Sequence, residues 1–168
     1  FIAFAAISLS SNIAASEPIA NLNTLGYEPA QKNLAVSKSG MVTTQHFLAT
    51  SVGEKILSNG GNAYDASIAI AFTLAVVLPR AGNIGGGGFM VMYDEASEKA
   101  YSIDYREKAP ALSTKDMYIN QDGSFNDKQL STFGYLASGV PGTVAGLWEV
   151  HKKFGSLPWD MLVKDAIE

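Results

Sequence analysis

The stretch AGNIGGGGFMVMYD, residues 81–94, places four consecutive glycines directly before a short apolar segment. Glycine-rich loops bind phosphate when a strand precedes them and a Lys followed by Ser or Thr opens a helix behind them. Here Phe89 follows Gly88, and the predicted order of helix, loop and strand also departs from the dinucleotide-binding order. Phosphate binding is therefore disfavoured. The glycines instead predict positive φ angles or a close backbone approach, either in a tight connection or beside an active site.

Arg106 follows the second predicted strand, in the stretch IDYREKAP. An arginine guanidinium binds a carboxylate through two parallel N–H bonds in a fixed fork. Asp104 and Glu107 are close enough in sequence to orient that fork. From spacing alone, a surface arginine in a local ion pair is the favoured interpretation, and carboxylate binding is the alternative.

Thr43 and Thr44, followed by His46, raise the possibility of a threonine nucleophile with a histidine base. The threonine pair is predicted to open a helix, where threonine serves as a cap, and a catalytic role is disfavoured. His151 lies near the end of a predicted helix, where the helix dipole explains it. Two His and no Cys cannot supply the usual ligand clusters, so we predict neither a metal site nor a cofactor.

The elements that must position these residues begin with two predicted helices. Residues 44–58 place Leu48, Val52 and Ile56 at steps of four, which predicts one apolar helix face ending at the following glycines. Residues 63–78 predict a second helix with Asn62 as its cap, and this helix is apolar on nearly every face from Ile68 to Leu78. Such a helix is predicted to be buried on all sides.

Two short apolar segments follow the glycine run, FMVMYD and AYSIDY, separated by a turn at residues 96–99. They predict a hairpin in which Tyr101 and Ile103 face the same way. Residues 107–134 predict a long irregular connection, and YLASGVPG predicts a brief strand and a turn. Two further helices are predicted, one over residues 143–154 and one beginning after Ser156.

Composition limits the class of protein. A chain of 168 residues with 47% hydrophobic and 17% charged residues is typical of a globular domain. The net charge is −4, without a cluster of Lys or Arg, which argues against a nucleic-acid partner.

The first sixteen residues carry no charge and end in the small residues Ala14, Ala15 and Ser16. This pattern predicts the remnant of a secretory signal peptide over residues 1–16, although its basic start is missing, and a buried N-terminal helix is the alternative. We therefore expect a periplasmic or secreted protein that does not span a membrane. Because the last predicted helix lacks a stop signal, we also expect a fragment cut at both ends.

Taken together, five stretches within residues 34–168 resemble motifs of the γ-glutamyltranspeptidase family, in the family's order. They are GMVTTQHFLAT, ILSNGGNAYDASIA, NIGGGGFMVMYD, DYREKAP and GVPGTVAGL. The chain departs from the pattern at Arg80 and Ala81, where family members vary.

The resemblance implies an α+β fold, the N-terminal-nucleophile hydrolase fold, a four-layer αββα sandwich of which this chain is an incomplete N-terminal part. Residues 17–168 would form the N-terminal portion of the family's large chain. Members cut their own precursor, and the new N-terminal threonine of the small chain is the nucleophile, so the resemblance places no catalytic residue in this sequence. By the motif match, Arg106 would grip the α-carboxylate of the substrate.

The activity implied is that of a γ-glutamyltransferase and glutathione hydrolase, which passes the glutamyl group of glutathione to water, an amino acid or a peptide. The implied partners are this small-molecule substrate and the small chain of the same precursor. Two alternatives remain open. One is a related acylase acting on cephalosporin side chains or poly-γ-glutamate, and the other is a non-catalytic binding module or truncated copy.

Overall fold

A computed structural model of the chain describes residues 36–125 and 129–168. The predicted leader at residues 1–16 lies outside the described residues. Within them, the chain forms four α-helices, one two-stranded sheet and one 3-10 turn. In chain order these are α1 (Phe47–Ser58), α2 (Ala63–Val77), β1 (Phe89–Asp94), β2 (Lys99–Asp104), the 3-10 turn (Tyr135–Ala137), α3 (Thr143–Phe154) and α4 (Trp159–Ile167).

Helix α1 starts three residues later than predicted, because His46 rather than a threonine caps it. The His46 Nδ1 accepts a hydrogen bond from the backbone N–H of Leu48 at 3.3 Å. Thr44 supports this cap, since its hydroxyl donates to the carbonyl of His46 at 2.7 Å. The predicted apolar face is only partly correct, because Ile56 is buried whereas Leu48 is exposed.

Helix α2 begins with the predicted Asn62 cap. Asn62 Oδ1 accepts from the backbone N–H of Asp65, and the Asp65 carboxylate accepts from the backbone N–H of Asn62. Burial on all sides holds only for the first part of the helix, where Ile68 is inaccessible to solvent. Near its last turn Val76 is 59% exposed, so the prediction of all-round burial is wrong there.

The core forms where α2 meets the hairpin and the last two helices. Ile68 of α2 shares one cluster with Met90 and Met92 of β1, Leu147 of α3 and Leu162 of α4. Burial of such side chains stabilises each by roughly 1.5–3 kcal/mol relative to full exposure. The core therefore fixes α3 and the hairpin against the same buried helix.

Asp65 is a buried charge, with no exposed surface, in this contact region. Its carboxylate accepts from the Ser156 hydroxyl at 2.5 Å and from the Ser156 backbone N–H at 3.1 Å. Because Ser156 lies between α3 and α4, this carboxylate ties the start of α2 to the α3–α4 turn. A buried carboxylate is tolerated when hydrogen bonds replace its hydration.

The predicted hairpin is confirmed, with β1 and β2 paired antiparallel. Tyr101 and Ile103 stand opposite Met92 and Met90, so they face the same way as predicted. Ile103 packs against the core cluster, whereas Tyr101 is exposed. The predicted strand in YLASGVPG is instead the 3-10 turn, followed by a single bridge between Val140 and Lys108. None of the described helices has the length and apolarity needed to cross a membrane.

Candidate functional site

The glycine run Gly85–Gly88 lies between α2 and β1, in the predicted order of helix, loop and strand. The positive φ angles predicted for it are not found. Among the described glycines, only Gly60, Gly123 and Gly134 have positive φ. The run therefore does not exploit the left-handed region that glycine alone enters freely.

The close backbone approach that we also predicted is confirmed, most clearly at Gly87. A Cβ atom placed on Gly87 would lie 2.5 Å from the carbonyl oxygen of Tyr105 and 2.7 Å from the Cα of Arg106. It would also lie 2.8 Å from the backbone nitrogen of Glu107. Any side chain at this position would collide with the main chain that carries Arg106.

Hydrogen bonds fix the run on two sides. The carbonyl of Gly88 accepts from the backbone N–H of Tyr105 at 2.9 Å, which continues the hairpin by one residue. The carbonyl of Gly86 accepts from the N–H groups of Gly142 and Thr143, at 2.9 and 3.1 Å, at the start of α3. Two of the donors that a helix N-terminus would offer to a phosphate are thus bound to Gly86.

Arg106 is exposed, and its backbone N–H donates to the Asp104 carboxylate at 3.0 Å. Its guanidinium carbon lies 6.0 Å from the ring centroid of Phe89, a distance at which a cation and an aromatic face attract. Within residues 36–125 and 129–168, the ion pairs involve only Lys side chains. The local ion pair favoured by spacing is therefore not formed, and neither Asp104 nor Glu107 orients the fork.

Arg106 lines a cavity of about 380 Å³. The lining combines the end of α2, the glycine run, the exit of β2 and the start of α3. The residues are Ala71, Leu74, Ala81, Gly82, Asn83, Gly87, Gly88, Phe89, Tyr105, Arg106, Glu107 and Thr143. This volume and this mixture of apolar walls with a few polar groups are typical of a small-molecule site.

The charged residues that line the cavity are Arg106 and its neighbour Glu107. Burial raises the pKa of the Tyr105 phenol above its ordinary value of 10.0, so the phenol stays neutral near pH 7. The cavity can therefore offer a carboxylate-binding fork, aromatic surface and small polar groups.

The other residues with predicted chemistry lie elsewhere. Thr43, Thr44, His46 and His151 do not line this cavity. His151 lies in the last turn of α3 as predicted, its Nε2 2.8 Å from the carbonyl oxygen of Leu157 and its ring stacked on that of Trp148. Across the described part of the chain, no three His, Cys, Asp or Glu side chains are grouped to hold a metal ion.

Sequence reasoning missed Asn83 and Thr143 as lining residues. Asn83 was detectable, because it stands within the glycine stretch that leads to Arg106. Thr143 gave no signal, because its place in the cavity depends on how the start of α3 docks on Gly86.

Comparison with known proteins places this geometry in a family. A family profile described as gamma-glutamyltranspeptidase matches residues 49–168. The glutathione hydrolase proenzyme of Pseudomonas aeruginosa is 50% identical over 133 residues, which cover 79% of this chain and 23% of that protein. The chain thus spans about a quarter of the length of this curated relative.

Solved structures of this family and of a related acylase are also similar to this chain. The gamma-glutamyltranspeptidase of Pseudomonas nitroreducens complexed with L-DON is 49% identical, with a TM-score of 0.72 over 79% of this chain and 38% of that chain. The cephalosporin acylase of Bacillus halodurans is more distant, at 28% identity and a TM-score of 0.58 over 71% of this chain and 22% of that chain. The predicted α+β fold, with this chain as an incomplete N-terminal part, is confirmed. The chain belongs to the γ-glutamyltranspeptidase family.

Proposed function

We propose that the chain is the N-terminal part of the large chain of a γ-glutamyltransferase and glutathione hydrolase. The observation that carries this proposal is the position of Arg106 in a family-typical scaffold. Arg106 lines a cavity of about 380 Å³, and its guanidinium is bound by no carboxylate among the described residues. A fork left available in this way suits the free α-carboxylate of a γ-glutamyl compound.

The proposed reaction transfers the glutamyl group in two steps. The N-terminal threonine of the small chain attacks the γ-amide carbon, and the threonine amine takes the hydroxyl proton. The amine product leaves, and a glutamyl ester of the enzyme remains. Water then gives glutamate, or the amino group of an amino acid or peptide gives a new γ-glutamyl amide. Throughout, Arg106 holds the α-carboxylate and thereby places the γ-carbonyl.

The small chain is the proposed protein partner, made from the same precursor. The name "proenzyme" of the Pseudomonas aeruginosa relative supports maturation by cleavage. An acylase for cephalosporin or poly-γ-glutamate is the competing assignment. The lower identity to the cephalosporin acylase, 28% against 49% and 50%, favours γ-glutamyl chemistry.

Substitution of Arg106 by Lys in the complete precursor tests the assignment. Lys keeps the positive charge and loses the two-point fork. Loss of one charge-assisted hydrogen bond costs on the order of 1.5–3 kcal/mol, so the KM for glutathione should rise roughly ten- to a hundredfold. Arg80→Lys is the matched control, because Arg80 is exposed and does not line the cavity. An unchanged KM in Arg106→Lys would show that Arg106 does not bind substrate.

We also propose that the protein is exported to the periplasm or beyond the cell. The support is the uncharged, apolar start of the sequence with small residues up to Ser16. Mass spectrometry of the mature N-terminus, after cell fractionation, tests this. Recovery of residues 1–10 on the cytoplasmic protein would contradict export.

A further inference from the structure

Tyr105, the residue before Arg106, packs directly on the first two turns of α3. A Cβ atom placed on Gly146 would overlap the Cβ and Cγ of Tyr105 and would lie 2.7 Å from its Cδ1. A Cβ atom on Gly142 would overlap the carbonyl oxygen of Tyr105 and lie 3.0 Å from the carbonyl oxygen of Arg106. Real Cβ atoms essentially never come this close, so both positions require glycine.

The glycine at 146 has no conformational reason to be there. It stands inside α3 and does not have a positive φ angle. Glycine in a helix interior weakens the helix relative to alanine, because it loses more backbone freedom on folding. The contact with Tyr105 therefore explains the glycine, and the helix approaches the strand exit as closely as a bare backbone permits.

This contact bears on Arg106, because the peptide of Tyr105 is held from two directions. Gly87 approaches it from the glycine run, and Gly142 approaches it from α3. Neither Gly142 nor Gly146 lines the cavity. Both nevertheless determine where Arg106, the residue after Tyr105, places its side chain.

We propose that Gly142 and Gly146 are positioning residues for Arg106, acting through Tyr105, and that they set the selectivity for substrates with an α-carboxylate. This inference rests on the proposed function, because it takes Arg106 as the carboxylate-binding group. A two-point fork tolerates little displacement, and a misplacement of about 1 Å can cost on the order of a hundredfold. An added methyl group at Gly146 displaces Tyr105 and with it the fork.

The test compares two substrates of the complete, matured enzyme. One is a γ-glutamyl anilide, and the other is the 4-aminobutanoyl anilide, which lacks the α-carboxylate. Gly146→Ala should lower kcat/KM for the γ-glutamyl substrate by roughly ten- to a hundredfold. It should leave kcat/KM for the analogue unchanged. A general loss of structure would lower kcat/KM for both substrates together.

Val144→Ala is the matched control, because Val144 lies on the same helix, is 45% exposed and is outside the cavity lining. It should keep the preference for the carboxylate-bearing substrate. An unchanged preference in Gly146→Ala, or an equal loss for both substrates, would overturn the proposal.

A second variant covers the case in which Gly146→Ala does not mature. Tyr105→Gly removes the atoms that the new methyl group would meet. In the double variant Tyr105→Gly with Gly146→Ala, maturation should match that of Tyr105→Gly alone, and KM should be no higher. Maturation that stays blocked, or KM effects that multiply, would show that Gly146 does not act through Tyr105.

Arg106→Lys, measured with the same two substrates, separates the two proposals. If it leaves the carboxylate preference intact, the assigned role of Arg106 fails. If it abolishes the preference whereas Gly146→Ala does not, only the positioning role fails.

Discussion

Alanine substitutions along the glycine run should produce a graded response, because the four positions differ in what a methyl group would meet. At Gly87 the nearest atoms are main-chain atoms of residues 105–107, at 2.5–2.8 Å, whereas ordinary contact begins at 3.4 Å. At Gly85 the nearest atom is the Asn83 Oδ1, at 3.7 Å. Gly86 is intermediate, because it meets the ends of two flexible side chains, Asn83 at 2.7 Å and Glu107 at 3.3 Å.

The magnitude for Gly87→Ala follows from these distances. The run and the strand exit must separate by about 1 Å, which is overpacking that costs typically 1–3 kcal/mol. Weakening the hydrogen bond from Tyr105 N–H to the Gly88 carbonyl, now 2.9 Å, costs about 0.5–1.5 kcal/mol more. In the opposite direction, alanine stabilises the protein by about 0.4–1 kcal/mol, because it reduces the conformational entropy of the unfolded chain. The free energy of unfolding should therefore fall by about 0.5–4 kcal/mol.

Gly85→Ala is the matched control, since it makes the same chemical change two residues away without a close contact. Its free energy of unfolding should be unchanged or higher by up to about 1 kcal/mol. Gly86→Ala should cost less than about 1 kcal/mol, because Asn83 and Glu107 can move aside.

Chemical denaturation of the complete protein, the extent of self-cleavage and the KM for glutathione together measure this series. Gly87→Ala should be impaired in all three, with or without phosphate in the buffer. Equal behaviour of Gly87→Ala and Gly85→Ala would refute the argument, because the distances would then not govern the run. A phosphate-dependent rescue would favour the ligand loop that the order of elements disfavours.

Asp65→Asn should lower the free energy of unfolding by about 1.5–3 kcal/mol, because the amide loses a charge-assisted bond to Ser156 and turns its own N–H groups toward the Ser156 donors. Urea denaturation measures this change. An equal effect from the exposed control Asp160→Asn would contradict it. Tyr105→Phe should resist alkaline unfolding better than the parent protein. Since burial raises the pKa of Tyr105 above 10.0, its stability contribution is complete below about pH 10 and is lost as pH rises through the folded-state pKa. Denaturation midpoints near neutral and above pH 10 test this, with Tyr135→Phe as control, because Tyr135 is 87% exposed; identical alkaline losses in both variants would refute it.

Features set by neighbours in sequence were predictable. The Asn62 cap with Asp65 depends on residues three apart, and the hairpin depends on alternation and a short turn, so local chemistry determined both. The start of α1 was less predictable, because Thr44 and His46 can both cap. Two cap-forming side chains two residues apart compete, and here the backbone places the imidazole at the helix end.

The position of the site depends on contacts that sequence does not display. Gly86 binds the start of α3, and Gly142 touches Tyr105, across more than fifty and more than thirty intervening residues respectively. The sequence shows glycines at these positions, but it does not show the close packing that requires them. A glycine required by positive φ and one required by close packing look the same in a sequence, and the positive φ angles proved to lie elsewhere.

Asp65 and Arg106 contrast in a way that supports the ligand-binding role proposed for Arg106. Asp65 is fully buried, and its oxygens accept from donors at both ends of a long-range contact, so a ligand has nothing left to bind. Arg106 is exposed, so water can hydrate its guanidinium, and leaving it unpaired within the described residues costs little. Under the proposed function, a substrate carboxylate would displace that water and accept from a guanidinium whose backbone is already fixed. Rigid main chain behind a solvated guanidinium is the arrangement expected of a group that binds substrate rather than one that stabilises the fold.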